Sequence, residues 1–171
     1  MINKRQTGFS LIELLIVVAI IGIISAIAIP NLLASRRAAN EGSALSSMRV
    51  IFSSEVNYQV TAGGGSFGSL ADLRTLGYID IVLAGATIGG TTPKSGYNFS
   101  AAKVAIAGLP AFDAKAQAAT HTTGNPVTGT GSRSFMTNES GVLYYNTTAT
   151  APTCTADTSR SAGATGSVLN N

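Results

Sequence analysis

The feature that most constrains this chain is an apolar run close to its N-terminus. Leu14–Ile29 contains no charged residue, and the nearest charge before it is Glu13. About 20 mainly apolar residues are enough to span the hydrocarbon core of a bilayer as an α-helix. Lys4 and Arg5 precede the run, and basic residues favour the cytoplasmic side. We therefore expect one membrane-spanning helix, with everything after Pro30 outside the cytoplasm.

The residues before this run differ from those of an ordinary secretory signal. In such a signal a small-residue cleavage site follows the apolar segment, so that the apolar segment is removed. Here no A-x-A-like site precedes the polar sequence, and the small residue Gly8 stands before the apolar run. Cleavage after Gly8 leaves the apolar helix on the mature chain.

The order of residues in this region resembles the class III signal and N-terminal helix of type IV prepilins, which include pilins and pseudopilins. The resemblance rests on GFSLIELLIVV at residues 8–18 and on Ala-Ile-Pro at residues 28–30. It implies that a prepilin peptidase cuts between Gly8 and Phe9 and that the new Phe9 amine is N-methylated. It also implies an α+β pilin fold, in which a long N-terminal helix with a membrane-spanning first half packs on a roughly four-stranded antiparallel sheet.

Glu13 has two interpretations. A carboxylate at the bilayer centre costs roughly 2.5 to 3.5 kcal/mol, and the cost is lower near the interface. Glu13 lies close to the expected mature end, so it could sit among the headgroups and need no partner. Alternatively, it accepts a charge-assisted hydrogen bond from the Phe9 amine of a neighbouring subunit. The family resemblance favours the second interpretation, which would also set the axial register of an incoming subunit.

The composition agrees with a small exported subunit that has one globular head. Loss of Lys4 and Arg5 with the leader would reduce the 11 Lys and Arg residues to 9, against 8 Asp and Glu residues. The basic pI of the whole sequence therefore says little about the binding partners of the mature chain. Only 11% of the residues are charged. This composition suits a chain packed among copies of itself and lacks the clustered basic side chains of a nucleic-acid-binding protein.

The helical pattern continues beyond Pro30, which lacks an amide hydrogen and should bend or locally open the helix at residues 27–29. Beyond it, apolar residues recur with helical spacing and predict an amphipathic helix to about Tyr58 or Val60, packed on a sheet. Gly63–Gly65 should end this helix. The predicted stripe consists of Leu45, Met48, Phe52 and Val56, flanked by Ile51 and Glu55.

Two small residues, Gly22 and Ser25, interrupt the apolar half of the helix. The first interpretation is close packing against a neighbouring helix, as in membrane bundles. The resemblance permits a second, in which residues 22–30 unwind when a filament assembles.

The head is predicted from turn signals and alternation. Ser69 and Asp72 have the spacing of a capping box, with Gly77 placed to stop a short helix after Leu76. Residues 96–100 and 102–107 are predicted as two strands. A hairpin is predicted from two further strands, Arg133–Thr137 and Val142–Asn146, joined by the turn Asn138–Gly141.

These predictions divide the chain into segments along its length. The segments are a leader peptide at 1–8, a transmembrane and assembly half-helix at 9–30, an amphipathic half-helix packed in the head at 31–62, a connecting segment with a short helix at 63–95, the antiparallel sheet at 96–146, and a C-terminal loop or tail at 147–171.

The sequence offers little for catalysis or cofactor binding. His121 and Cys154 are the single histidine and cysteine and lie far apart in loop-like sequence. No metal-ligand cluster, phosphate-binding glycine loop or pair of catalytic carboxylates is recognisable. We therefore expect no enzymatic activity, no cofactor and no metal.

Two features depart from what is typical of relatives of this family. Many pilins close a C-terminal loop with a disulfide, which a single cysteine cannot form within one chain. Cys154 is therefore a buried free thiol or pairs between subunits. Major pseudopilins carry a C-terminal acidic loop that binds calcium, whereas only Asp157 follows Glu139 here, and this disfavours the pseudopilin interpretation.

Three functions are compatible with these observations. The favoured one is a major pilin that polymerises into a type IV pilus for adhesion, twitching motility or DNA uptake. The alternative is a pseudopilin of a type II secretion system or a minor pilin. A membrane-anchored exported enzyme or binding module is the third. For the first two the resemblance implies the same partners: copies of the chain, prepilin peptidase, the assembly machinery and, before assembly, the inner membrane.

Overall fold

One helix, α1, runs from Leu11 to Thr61 and dominates the computed structural model of the chain. At about 1.5 Å per residue, a helix of this length extends about 75 Å. The structure describes residues 8–106, 108–121, 129–153 and 166–169. The elements after α1 are α2 (Leu70–Thr75), α3 (Ile81–Gly85), β1 (Tyr97–Ile106), β2 (Leu109–Ala118), β3 (Ser134–Asn138), β4 (Leu143–Asn146) and β5 (Ser167–Val168).

The helix does not open at Pro30. Residues 27–29 are helical, as are the residues on both sides of them, so the expectation of local opening is wrong. Pro30 has no amide hydrogen to donate to the carbonyl oxygen of Ala26, and the side chain of Asn31 donates to the next carbonyl oxygen, that of Ile27, at 3.1 Å. The helical path nevertheless continues from the exposed half of α1 into the head.

The buried face of α1 is rotated by about one residue from the predicted stripe. Met48 is fully buried as predicted, whereas Leu45 and Phe52 are only partly buried and Val56 is 39% exposed. Ile51 and Glu55, which were predicted to flank the stripe, instead lie at the centre of the buried face. The face consists of Glu41, Ala44, Ser47, Met48, Ile51, Ser54 and Glu55. Polar residues occupy core positions on this face because the head supplies hydrogen-bond partners for them. A pattern of apolar residues in the sequence cannot predict such partners.

Glycines end α1 as predicted. The amide of Gly63 donates to the carbonyl of Tyr58 at 2.7 Å, and that of Gly65 to the carbonyl of Gln59 at 3.0 Å. Gly64 and Gly65 have φ angles of 56° and 90°, a left-handed conformation that glycine adopts without a steric penalty. The chain thereby turns back towards the sheet.

The short helix α2 has the predicted capping box. The Ser69 amide donates to Asp72 Oδ2 at 2.9 Å, and the Asp72 amide donates to Ser69 Oγ at 3.3 Å. Gly77 follows with a φ of 75°. The next helix, α3, was not predicted; it begins after Asp80, whose carboxylate accepts a hydrogen bond from the Leu83 amide at 2.6 Å.

The sheet has five antiparallel strands in sequence order, one more than expected. The two strands predicted at 96–100 and 102–107 form the single strand β1, whose partner β2 was not predicted. β2 begins with Leu-Pro and contains several alanines, and alanine has a low propensity for strands. The β3–β4 hairpin is confirmed, and Gly141 has a φ of 73° in its turn. β5 lies in the segment predicted as tail.

Aromatic side chains fill the space between α1 and the sheet. Phe112 is fully buried, and its ring centroid lies 4.8 Å from that of Phe67 and 6.3 Å from that of Phe52. Ala114 and Ala116 of β2 are also fully buried. Their small side chains let the helix approach the middle of the sheet closely.

Glu41 joins α1 to the loop that leads into β3. Its carboxylate accepts hydrogen bonds from the Ser132 amide at 2.9 Å, the Ser132 hydroxyl at 2.8 Å and Arg133 Nε at 2.8 Å. Arg133 Nη2 also lies 2.8 Å from Glu41 Oε2. Burial raises the pKa of Glu41, but the hydrogen bonds from Ser132 and Arg133 outweigh burial and hold the pKa below its usual value.

Replacing Glu41→Ala should destabilise the head by about 2 to 4 kcal/mol, because Ser132 and Arg133 lose the buried charged acceptor that ties them to α1. Urea unfolding of the detergent-solubilised chain, followed by circular dichroism, measures the change. Ser46→Ala, on the exposed face of the same helix, is the matched control and should stay within about 0.5 kcal/mol of wild type. Equal effects of the two substitutions would contradict the role given to Glu41.

Glu55 is a second buried carboxyl group on α1, and it has fewer partners. Its side chain is 0% exposed; Oε2 accepts a hydrogen bond from the Gly68 amide at 2.9 Å, and Oε1 has no partner among the described residues. Burial, opposed by the Gly68 hydrogen bond and aided by the charge of Asp72, raises the pKa of Glu55 to about 7. The protonated form is therefore favoured in the folded head below about pH 7.

This raised pKa makes the stability of the head depend on pH. The contribution of Glu55 is fully present below about pH 4.5 and is lost as the pH rises towards about 7, because the unfolded chain then releases a proton that the folded chain retains. The loss is on the order of 3 kcal/mol. Unfolding measured at several pH values should show this decline, and Glu55→Gln should remove it. An unchanged decline in the variant would assign it to other groups.

Candidate membrane anchor and assembly surface

The first half of α1 presents apolar side chains in every direction around the helix. The Leu, Ile and Val side chains between Leu11 and Ile29 are 50% to 80% exposed. An 18-residue window of this helix has a mean hydropathy of 2.9, with none of it buried within the chain. A surface of this extent, apolar all round, is stable only in lipid or against other helices.

By length and composition, α1 can cross a membrane. The predicted span lies entirely in its exposed half, whereas the buried half begins at Glu41. One continuous helix therefore carries both the surface that lipid can cover and the face that the sheet covers.

The predicted cleavage residues lie just outside this helix. Gly8 and Phe9 are exposed and non-helical, and the Phe9 side chain is 86% exposed. A Cβ atom added at Gly8 would meet nothing within 4 Å. No packing requirement within the described part of the chain therefore explains a glycine at this position.

Glu13 caps the helix that contains it. Glu13 Oε2 accepts a hydrogen bond from the Ser10 amide at 3.0 Å, and a carboxylate in the first turn also interacts favourably with the helix dipole. Sequence analysis missed this role, although Ser10 and Glu13 have the spacing of a capping box. Glu13 thus has a partner in its own chain, and Oε1 remains available to another donor.

Other residues singled out from the sequence lie away from this surface. His121 Nε2 is 3.1 Å from the carbonyl oxygen of Ser132, and its buried Nδ1 has no partner among the described residues. Cys154 and Asp157 lie outside the described residues. Within the described residues, no three His, Cys, Asp or Glu side chains are grouped as a metal site.

Comparison with known proteins agrees with the motif found in the sequence. Residues 3–29 match the family model of the prokaryotic N-terminal methylation motif. The chain is 41% identical over 56 residues to the type IV major pilin protein PilA of Myxococcus xanthus and 60% identical over 38 residues to the type IV wide pilus major component PilA4 of Thermus thermophilus. It is 36% identical over 44 residues to the type II secretion system core protein G of Aeromonas hydrophila.

These matches cover a limited part of each chain. They include 33%, 22% and 26% of this chain, and the corresponding shares of the relatives are 26%, 29% and 31%. No solved structure gives a significant match. The chain therefore spans less than a third of the length of each of these relatives.

The N-terminal segment of this chain carries the prokaryotic N-terminal methylation motif, and the chain is similar to two type IV major pilus components and to a type II secretion core protein. The α+β fold agrees with the pilin architecture expected from the sequence. The motif and the apolar helix fit a precursor that is anchored in the inner membrane and assembled into extracellular pili.

If a peptidase cuts after Gly8, as the sequence predicts, Gly8→Val should block removal of the leader, because the peptidase must accommodate this residue next to the bond that it cuts. The mass of the membrane-bound chain should then correspond to a start at Met1. Gly22→Ala is the matched control, since a Cβ atom at Gly22 also meets nothing within 4 Å, and it should be processed normally. A mature mass in the Gly8 variant would exclude the assigned cleavage site.

Proposed function

We propose that this chain is a major pilin, a structural subunit that polymerises into a type IV pilus for adhesion, twitching motility or DNA uptake. The observation that carries the proposal is the half-helix between Leu11 and Ile29, which is apolar all round and is not covered by any described part of the chain. Lipid covers this surface before assembly. When the subunit leaves the bilayer, the same surface needs an apolar cover of equal length, and identical helices of other copies provide it.

Processing and assembly follow from the same segment. We assign residues 1–8 as the leader, with cleavage between Gly8 and Phe9 by a prepilin peptidase and N-methylation of Phe9. Residues 9–30 form the assembly helix, in which Pro30 and Glu13 act, and residues 31–62 hold the head. The assembly machinery takes mature subunits from the inner membrane into the filament.

The two matches to major pilus components support a filament subunit over an enzyme. The low charge of the chain also suits repeated packing of heads, because only 11% of its residues are charged. The match to a type II secretion core protein supports the second candidate, a pseudopilin or minor pilin that uses the same anchor.

The first experiment is to shear the surface of producing cells, examine the released material by electron microscopy and determine the N-terminal mass of its main protein. Thin filaments made mainly of this chain, beginning at methylated Phe9, are expected for a major pilin. Mature chain confined to the membrane would favour the pseudopilin or minor pilin. An intact Met1 would overturn the processing on which both candidates rest.

Substitutions of Glu13 separate its capping role from its pairing with a neighbour. Glu13→Gln retains an acceptor for the Ser10 amide but loses the charge, whereas Glu13→Ala loses both. We expect both variants to stay anchored and both to yield at least tenfold fewer filaments, because neither can neutralise the Phe9 amine of a neighbour. Sheared filaments are quantified by immunoblotting. Wild-type yield from the Gln variant would reduce the role of Glu13 to helix capping.

A further inference from the structure

Two arginines follow the apolar half of α1 directly. No Asp, Glu, Lys or Arg lies between Glu13 and Arg36, and Arg37 is next in sequence. The helix from Leu11 to Leu33 rises about 34 Å, slightly more than the roughly 30 Å thickness of a hydrocarbon core. When the apolar half spans a bilayer, the two guanidinium groups therefore lie at the depth of the lipid headgroups on the outer side.

Neither arginine is neutralised within the described part of the chain. Arg36 is exposed and Arg37 is half-buried, and neither forms an ion pair with a described carboxylate. The nearest acidic residue along α1 is Glu41, which is already occupied by Ser132 and Arg133. Two positive charges thus remain at the junction between the membrane helix and the head.

The arginines line a hollow of about 430 Å³ under the head. Leu33 is the one apolar side chain of its described lining, and the remaining lining residues are polar, charged or glycine. The lining includes Leu33, Arg36 and Arg37 from α1 and Ser95, Gly96 and Thr130 from the loops above.

Hydrogen bonds hold the upper wall of this hollow to α1. The Asn40 side chain donates to the carbonyl oxygen of Thr130 at 2.9 Å, and the Thr130 hydroxyl donates to the carbonyl oxygen of Gly96 at 2.7 Å. Ser43 Oγ donates to Ser95 Oγ at 3.0 Å. The hollow is therefore a formed feature of the junction between the helix and the head.

We propose that this hollow binds the phosphate headgroup of an anionic phospholipid in the outer leaflet of the inner membrane. Arg36 and Arg37 donate to the phosphate oxygens, and Leu33 lies on the side from which the acyl chains enter. Guanidinium groups suit this ligand because they present several donors in a planar fork and are always charged. The proposal rests on the membrane-anchored state in the proposed function, but it does not require polymerisation.

Position and charge favour a lipid over a free anion. An anionic membrane surface holds many phosphates at the depth of the arginines and attracts basic residues near it. A lipid also places apolar atoms next to Leu33, which inorganic phosphate cannot do. The site thus combines charge complementarity with an apolar contact at Leu33.

Native mass spectrometry of the detergent-solubilised, full-length mature chain can test this site. The chain is titrated separately with dioleoyl phosphatidylglycerol, dioleoyl phosphatidylcholine and inorganic phosphate. Arg36→Gln combined with Arg37→Gln removes the site. Arg74→Gln combined with Lys103→Gln removes the same charge from exposed positions on the head and is the matched control.

Wild type and control should bind phosphatidylglycerol well above phosphatidylcholine, and the Arg36/Arg37 variant should lose roughly 30-fold in affinity, as expected for two basic contacts. Equal binding by the Arg36/Arg37 variant and wild type, an equal loss in the control, or no preference for phosphatidylglycerol would overturn the site. Inorganic phosphate binding as tightly as the lipid would overturn the lipid as its ligand. Membrane fractionation of wild type, done beforehand, reports separately on anchoring, so failure of the anchor is distinguishable from failure of the site.

Discussion

The structure depends on the continuity of α1 between two different environments. Its first half is apolar all round and has no cover within the described part of the chain, whereas its second half buries one face against the sheet. The backbone hydrogen bonds of one helix connect the halves, and the helix continues through Pro30. Any displacement of the anchor along its axis is therefore transmitted to the head.

Polar residues of α1 determine how the head sits on this helix. Glu41 bonds to the loop before β3, Ser54 Oγ donates to the carbonyl oxygen of Tyr78 at 3.1 Å, and Glu55 accepts from Gly68. Apolar packing alone permits small rotations of a helix over a sheet, but directional hydrogen bonds do not. The three contacts reach different loops, so together they fix the rotation and the height of the helix.

Much of the fold was predictable where a local signal has a physical cause. The length of α1, the glycines after it, the capping box of Ser69 and Asp72, and the turn before Gly141 were all recognised from the sequence. β2 was missed because its alanines carry no strand signal, although their small size is what close packing under α1 needs. The buried face of α1 was misplaced because Glu41 and Glu55 are core residues only in the presence of partners far away in sequence.

The residues of the candidate site were likewise predictable from local motifs, whereas surfaces formed by residues distant in sequence were not. Gly8, Phe9 and Glu13 were predicted as site residues because an ordered motif surrounds them, and the segment that contains them matches a known family model. The spacing between Ser10 and Glu13 was enough to predict the capping role of Glu13. It was not predicted, because the charge of Glu13 in an apolar helix was interpreted only as a contact with lipid headgroups or with a neighbouring subunit. The hollow beside Arg36 and Arg37 could not be predicted, because loops more than fifty residues away complete it.

The hydrogen bond between Glu13 and the Ser10 amide bears on whether assembly of the proposed filament would be reversible. If this carboxylate had no hydrogen-bond donor in the bilayer, each departure from a filament would be costly, because the subunit would re-enter lipid with an unsatisfied charge. Under the proposed function, Oε2 would keep the Ser10 amide as its donor both in the membrane and in the filament, and only Oε1 would gain or lose a neighbour. Return of a subunit from the proposed filament to the membrane would then cost less, so the helix end proposed to favour growth would also permit retraction.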